Sequence, residues 1–357
     1  MDTHTTAAPP CCTSPPGRAL PSCSCGTDNP VPPEIRTTGS QITFANRLDH
    51  CLARWGINRS GHRVDPGLYR LGSPTPESPV FASANYTLSF DALRSALAGR
   101  DAYILVLDTK GINVWCAAGK GTFGTGELVR RIEVTGLAGI VNTRTIIVPQ
   151  LGAPGISALE VRRRSGFRVE YGPVRARDLP EYLMTGKATP EMRRVWFPVQ
   201  DRIVLVPVEM VHVALPAIII AAALWFIAGP VAALAAVSAV VAGTVLFPIL
   251  LPYIPTRDFS TKGLFLGAVV AIPFAIAFAS DPAQPGWARL IAAITMLLIM
   301  PAVTAYLALN FTGSTTFTSR TGVKKEIFRY IPVMVCMAVS GIILAIVLGV
   351  NRLLGVI

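Results

Sequence analysis

Charge is scarce in this chain of 357 residues: Asp, Glu, Lys and Arg together make up only 15% of it. No cysteine run has the C-x₂-C-x₂-C spacing that holds iron–sulfur clusters. Gly119-Lys120-Gly121-Thr122 lacks the earlier glycine of a phosphate-binding loop, because Val114 stands in that place. A G-x-G-x-x-G pattern does run from Gly119 to Gly124. It begins well past the preceding apolar strand, whereas a dinucleotide fingerprint opens directly at the strand end. The N-terminal residues are polar and no apolar stretch follows them, so no secretory leader is expected.

What the chain has in quantity is apolar residues, and they divide it near residue 200. Five long apolar runs are expected to span a membrane: about 204–227, 231–251, 263–279, 288–309 and 331–350. Each is about 17 to 24 residues, enough for a hydrocarbon layer of about 30 Å. Pro230, Pro252, Pro255, Pro282 and Pro285 punctuate their junctions. Pro216, Pro248, Pro273 and Pro301 lie within them, where kinks are tolerated.

Basic residues set the expected orientation. With residues 1–200 in the cytoplasm, the inner loops hold Arg257, Lys262, Arg320, Lys324, Lys325 and Arg329, and the outer segments only Arg289 and Arg352. That follows the positive-inside rule and puts the C-terminus outside the inner membrane. The net charge of +11 therefore needs no nucleic-acid partner. Arg162-Arg163-Arg164 is either a docking point for an acidic partner or a solvated helix end.

Before residue 200 the pattern is strand–helix alternation. Residues 1–40 are rich in Pro, Ser, Thr and Cys, and are expected to be a disordered tail. Strands are predicted at 102–107, 145–148 and 167–171. Helices are predicted at 89–97, with Ser89 or Asp91 near the cap, and at 127–135, 156–164 and 176–184. This alternation implies a parallel α/β sheet with its ligand at the strand carboxyl ends. The segment around Cys116 lies beyond one such end. Taken by itself, Cys116 reads either as a buried structural thiol or as a soft ligand held among small residues.

Asn113-Val114-Trp115-Cys116-Ala117-Ala118-Gly119-Lys120 closely resembles the cobalt-facing cap helix of the mercury-methylating corrinoid proteins, the HgcA family. Further segments also look like that family. They include Pro66-Gly67-Leu68-Tyr69, Ala84-Asn85-Tyr86, Val106-Leu107-Asp108-Thr109-Lys110-Gly111 and Gly119-Lys120-Gly121-Thr122-Phe123-Gly124-Thr125. So do Pro149-Gln150-Leu151-Gly152-Ala153-Pro154-Gly155, Arg164-Ser165-Gly166-Phe167-Arg168-Val169 and the stretch from Phe311 to Arg320.

The resemblance implies an α/β Rossmann-like corrinoid-binding domain at 41–200, followed by an all-α domain of five transmembrane helices at 201–357. It implies a cobalamin cofactor with the Cys116 thiolate as lower axial cobalt ligand. Asn113, Val114, Trp115, Ala117 and Ala118 would line the lower corrin face, with Gly119 and Lys120 beside them and Asn113 hydrogen-bonding the sulfur. Thr122, Phe123, Gly124 and Thr125 would sit at the corrin edge. The D-x-H-x-x-G signature of histidine-ligated cobalamin is absent around His4, His50, His62 and His212. A thiolate would push electron density through the metal toward the opposite methyl group, because axial ligands tune metal cofactors strongly.

The implied reaction is methyl transfer from methylcob(III)alamin to Hg(II), forming methylmercury. The implied partners are a ferredoxin-like protein with [4Fe-4S] clusters as electron donor and a methyl-donor protein of one-carbon metabolism. No iron–sulfur cluster is expected in this chain. The alternative is a methyl-carrying corrinoid protein of acetyl-CoA and one-carbon metabolism. A transporter or B12-binding receptor without chemistry is a third reading, and it leaves Cys116 without a role. Cys11, Cys12, Cys23 and Cys25 either capture Hg(II) or belong to a flexible extension. Glu209 and His212 form an inward polar pair or an interfacial one. Met334, Cys336 and Met337 read as apolar filling or as a soft-metal route.

Overall fold

The computed structural model describes residues 34–58, 61–315 and 320–356, so the expected tail cysteines lie outside the described residues. The sheet begins at Ile35, inside the segment expected to be tail. Six strands are β1 (Ile35–Thr38), β2 (Gly67–Leu71), β3 (Val80–Ala84), β4 (Ala102–Leu107), β5 (Thr145–Val148) and β6 (Arg168–Tyr171), in the order β1-β2-β4-β3-β5-β6. β3 and β4 are buried at every position. They are near-continuous apolar runs because both faces of the central sheet are covered by helices.

The sheet is mixed, not wholly parallel as expected: β2 runs antiparallel to β4, while every other pairing is parallel. The physical reason is the connection from β2 to β3. It is short, contains Pro74, Pro76 and Pro79, and carries no helix, whereas a parallel return needs a long crossover.

The helices of this part are α1 (Phe44–Arg54), α2 (Thr87–Ala96), α3 (Val114–Lys120), α4 (Thr125–Val134), α5 (Leu137–Ile140), α6 (Ala158–Ser165) and α7 (Leu179–Thr185). Phe90, Leu93 and Leu97 around α2 and Leu179 and Tyr182 of α7 cover one face of the sheet. Val114, Ala117, Leu128, Ile132, Leu137 and Val161 cover the other. The chain leaves β3 toward β4 on one side and returns from β4 to β5 on the other. The order therefore reverses between β3 and β5, and that is where open α/β sheets bind ligands, outside the strand carboxyl ends.

Helix α2 starts at Thr87, earlier than the expected cap, and Asp91 lies buried within it. Arg94 Nε donates to Asp91 Oδ1 at 2.6 Å, and His50 Nε2 lies 2.8 Å from Asp91 Oδ2. Arg94 also reaches the carbonyls of Gly39 and Gln41. The acid anchors the N-terminal arm through these partners and does not cap the helix.

After the short α8 (Pro190–Arg193) and α9 (Val199–Ile203) come α10 (Val206–Ala228), α11 (Pro230–Val241), a π-helical turn (Ala242–Leu246), α12 (Phe247–Leu250), α13 (Phe259–Ala279), α14 (Gly286–Asn310) and α15 (Arg320–Leu353). Together they make five helices long and apolar enough to cross a membrane. Polar contacts gather near their ends. The buried Arg202 donates to the carbonyls of Pro248 and Ile249 at 2.9 and 2.7 Å. Glu326 accepts from Ser260, and Tyr330 donates to Asp258 at 2.6 Å.

Candidate functional site

Loops from three strands end at the carboxyl side of the sheet, and Asn85, just beyond β3, holds the one that follows β4. Asn85 Oδ1 accepts from the Thr109 N–H at 3.0 Å, the Thr109 hydroxyl at 2.9 Å and the Gly111 N–H at 2.9 Å. Lys110 between them has φ +59°, an uncommon conformation for a residue other than glycine. Glu127 of α4 accepts from the Asp108 N–H at 2.9 Å and pairs with Arg131 at 2.7 Å. The turn from β4 into α3 is therefore held from both flanks.

Helix α3 opens at Asn113, whose Oδ1 accepts from the Cys116 backbone N–H at 2.9 Å. The Asn113 carbonyl oxygen thus caps the helix start, where backbone donors lack partners. The helix closes at Gly121, which is left-handed at φ +83°. Thr122 N–H caps the Ala117 carbonyl at 3.0 Å. Thr125 ties α4 to the next loop: its N–H donates to Gly155 O at 3.1 Å, and its hydroxyl accepts from the Ser157 N–H at 2.9 Å. Phe123 is fully buried and Gly124 also lies inside. These four residues support α3 from behind.

The structure divides the expected corrin-lining residues by helical period. Val114, Ala117 and Ala118 turn into the core and do not present their side chains outward. Their small size has a local reason. A Cβ on Gly155 would stand 2.2 Å from Phe123 O and 3.1 Å from Ala118 Cα, so loop and helix backbones nearly touch. At about 100° per residue, Cys116 and Gly119 fall on the opposite, outward face, with Trp115 and Lys120 at its sides. Cys116 and Trp115 are half-buried, while Asn113, Gly119 and Lys120 are exposed. A Cβ on Gly119 would meet nothing within 4 Å, so the surface beside Cys116 is open at that position.

Neither histidine of the α/β part is available here. His62 Nδ1 lies 2.7 Å from Asp49 and its Nε2 2.7 Å from the Ile57 carbonyl, while His50 pairs with Asp91. Glu209 and His212 line a separate cavity of about 280 Å³ in the helical part, together with Thr244 and Asn310. Met334 is buried and Cys336 exposed on α15. Sequence reasoning missed Asn85 and Glu127 as builders of the site. An Asn closing a buried strand just before a helix was the available signal.

The fold and the site define a class: a doubly wound α/β region with a cysteine-bearing helix beside its switch point, followed by five long apolar helices. The α/β region is similar to subunits of a carbon-monoxide and acetyl-CoA system. The family described as CO dehydrogenase/acetyl-CoA synthase delta subunit matches residues 55–182. The acetyl-CoA decarbonylase/synthase complex subunit gamma of Methanopyrus kandleri is 35% identical over 128 residues, which is 35% of this chain and 27% of that protein. The corresponding subunit of Methanothermobacter thermautotrophicus is 33% identical over 127 residues, 35% of this chain and 27% of that one. That of Archaeoglobus fulgidus is 32% identical over 118 residues, 32% and 25% respectively. The chain thus spans about a quarter of the length of these relatives. The five apolar helices lie beyond the family-matched residues.

Proposed function

We propose that residues 41–200 bind a corrinoid on the outward face of α3, with the Cys116 thiolate as its lower cobalt ligand, and that the chain takes part in methyl transfer to Hg(II). The carrying observation is that face itself: one soft sulfur, half-buried, beside a glycine with open space above it. A thiolate suits a soft metal centre. When bound, the corrinoid would supply the methyl group that is transferred, with Cys116 holding it on the protein's side.

The protein's own residues have separate tasks in this reading. Asn113 sets the start of the helix that carries the sulfur, and Asn85 holds the loop leading into it. Gly119 leaves room beside the sulfur, and Trp115 and Lys120 border the bound group. The engagement of His50 and His62 elsewhere leaves sulfur as the donor on this face. We further place residues 1–200 in the cytoplasm and the C-terminus outside, from the distribution of Lys and Arg. Electrons and methyl groups would come from other proteins: a ferredoxin-like [4Fe-4S] donor and a methyl-donor protein of one-carbon metabolism.

A second reading is favoured by the comparisons. The similar proteins are named as subunits of an acetyl-CoA decarbonylase/synthase complex, which supports a methyl carrier for acetyl-CoA and one-carbon metabolism. Cys116 and the apolar helices support the Hg(II) reading.

An anaerobic absorption spectrum of the full chain loaded with methylcobalamin, beside Cys116→Ala, tests both. A shifted cobalt band present only in the wild type, with methylmercury formed from Hg(II) and lost in the variant, is the expected result. Identical spectra, together with methyl transfer to an acetyl-CoA-forming acceptor and none to Hg(II), would move the second reading ahead.

A further inference from the structure

Helix α1 turns its polar face to the protein and its apolar face away from it, the reverse of an ordinary surface helix. At about 100° per residue, Asn46, Asp49, His50 and Ala53 share one face, while Phe44, Leu48, Leu52 and the following Trp55 share the other. The first face is occupied. His50 pairs with Asp91 at 2.8 Å, Asp49 with His62 at 2.7 Å, and Asn46 accepts from Arg94 at 3.1 Å. On the second face Phe44 is 81% exposed, Leu48 50% and Trp55 47%. Single apolar residues are ordinary on a protein surface, but a continuous helical stripe of them marks a binding face.

Two observations identify what covers the stripe. The end of α1 lies against the first long apolar helix: a Cβ on Gly56, which follows Trp55, would stand 3.1 Å from Val208 Cγ2 and 3.9 Å from His212 Cε1. Both partners belong to the first two turns of α10, the end nearer the α/β part. Arg47 and Arg54 are exposed along one border of the stripe, where they can meet lipid phosphates. A helix with one apolar face, a basic border and an aromatic ring suits the plane of a membrane interface.

We infer that α1 lies in the headgroup layer of an anionic bilayer, with Phe44, Leu48 and Trp55 among the upper acyl chains and Arg47 and Arg54 at the phosphates. The inference rests on the five apolar helices crossing that bilayer and is independent of the corrinoid. The polar face of α1 is held by Asp91 and Arg94 of α2, so insertion gives the α/β part a second attachment to the membrane besides its chain link to α10.

The test places the full chain in vesicles of phosphatidylglycerol and phosphatidylcholine with bromine atoms high on the acyl chains. Subtracting the emission of Trp55→Phe from that of the wild type isolates Trp55 from the other tryptophans. Its emission is expected to be blue-shifted and quenched about twofold or more by the bromolipids, as for a ring at the headgroup boundary. Phe44→Asp with Leu48→Asp should abolish the quenching and leave the circular dichroism native, because both side chains are exposed. Arg47→Gln with Arg54→Gln should remove the stronger quenching in anionic over neutral vesicles.

A Trp55 emission that is red-shifted and untouched by the bromolipids would overturn the inference. So would one shielded from aqueous acrylamide yet unquenched by lipid, which would assign the stripe to a second copy or another protein. Quenching that survives both aspartate substitutions, or is lost only together with native circular dichroism, would overturn it too. A chain that alkaline carbonate strips from the vesicles would overturn the membrane reading itself and this inference with it.

Discussion

The two halves of the molecule differ in the size of the side chains that their helices and strands bury against one another. In the α/β part the fully buried residues include Phe81, Leu105, Leu107 and Phe123, large groups taken out of water between sheet and helices. In the helical part most of the buried residues on α11, α13 and α14 are small: Ala235, Ala239, Gly263, Gly267, Ala271, Ala302, Ala305 and Ala308. The large residues of α10 point outward, as Leu215, Ile218 and Phe226 do, while Phe247, Phe259 and Phe311 form a buried cluster near the helix ends. Water drives the first arrangement through apolar burial. In lipid that drive is absent, so helices associate through close backbone approach, which small residues permit. Leucine thus carries different meaning in the two halves, and so does glycine.

The largest expected effect strikes the close approach in the helical part. A Cβ on Gly263 would stand 2.6 Å from Ala305 Cα, and one on Gly267 would stand 2.6 Å from Pro301 Cα. Backbone cannot yield as a side chain can, so Gly263→Val with Gly267→Val should separate α13 from α14 at a cost of about 3 kcal/mol or more. Loss of a monodisperse peak on size exclusion in detergent would register it. A native elution profile would break the comparison.

A matched pair of leucines sharpens it. Leu105→Ala removes a fully buried side chain in β4 and should cost about 3 kcal/mol. Leu215→Ala alters a residue that is 69% exposed on α10 and should stay within about 0.5 kcal/mol. Denaturant titration of both variants measures the difference. Equal losses would mean that Leu215 packs against another chain.

The smallest effect lies at the end of the sheet away from the site. Glu77 accepts from Asn142 Nδ2 at 2.8 Å, and this hydrogen bond holds its carboxyl below the ordinary carboxylate range. A depressed folded-state value contributes stability above the unfolded pKa, and that contribution is lost as pH falls through the folded one. Glu77→Gln should therefore flatten the acid side of the stability–pH curve slightly, losing a little stability near neutrality and matching the wild type at low pH. Thermal melts between pH 3 and 7 would detect a difference, expected to be small because the group is exposed.

Sequence patterning was most informative where one periodicity dominated. The strands β4, β5 and β6, the helices behind them and all five long apolar helices fall close to their expected places. β1, β2 and β3 were not anticipated. β1 reads Ile-Arg-Thr-Thr and β2 Gly-Leu-Tyr-Arg-Leu, with few apolar residues in a row, and β3 reads Val-Phe-Ala-Ser-Ala, with little to set it apart from a loop. The role of Asp91 was hidden for a related reason: its partner His50 is distant in sequence and meets it only in the fold.

Sequence by itself determined the alternation that makes an α/β sheet, the number and extent of the apolar helices, and the presence of a cysteine on a small-residue helix beyond a strand end. These follow from local periodicity and side-chain type, which the chain carries at every position. Tertiary structure alone decided the antiparallel β2, the switch point between β3 and β5, and which face of α3 looks outward. Ala117 and Ala118 read in sequence as room for a ligand. The fold uses them as room for its own Gly155 loop and leaves the open face to Cys116 and Gly119. Which surface a small residue serves depends on what packs behind it, and only the folded chain settles that.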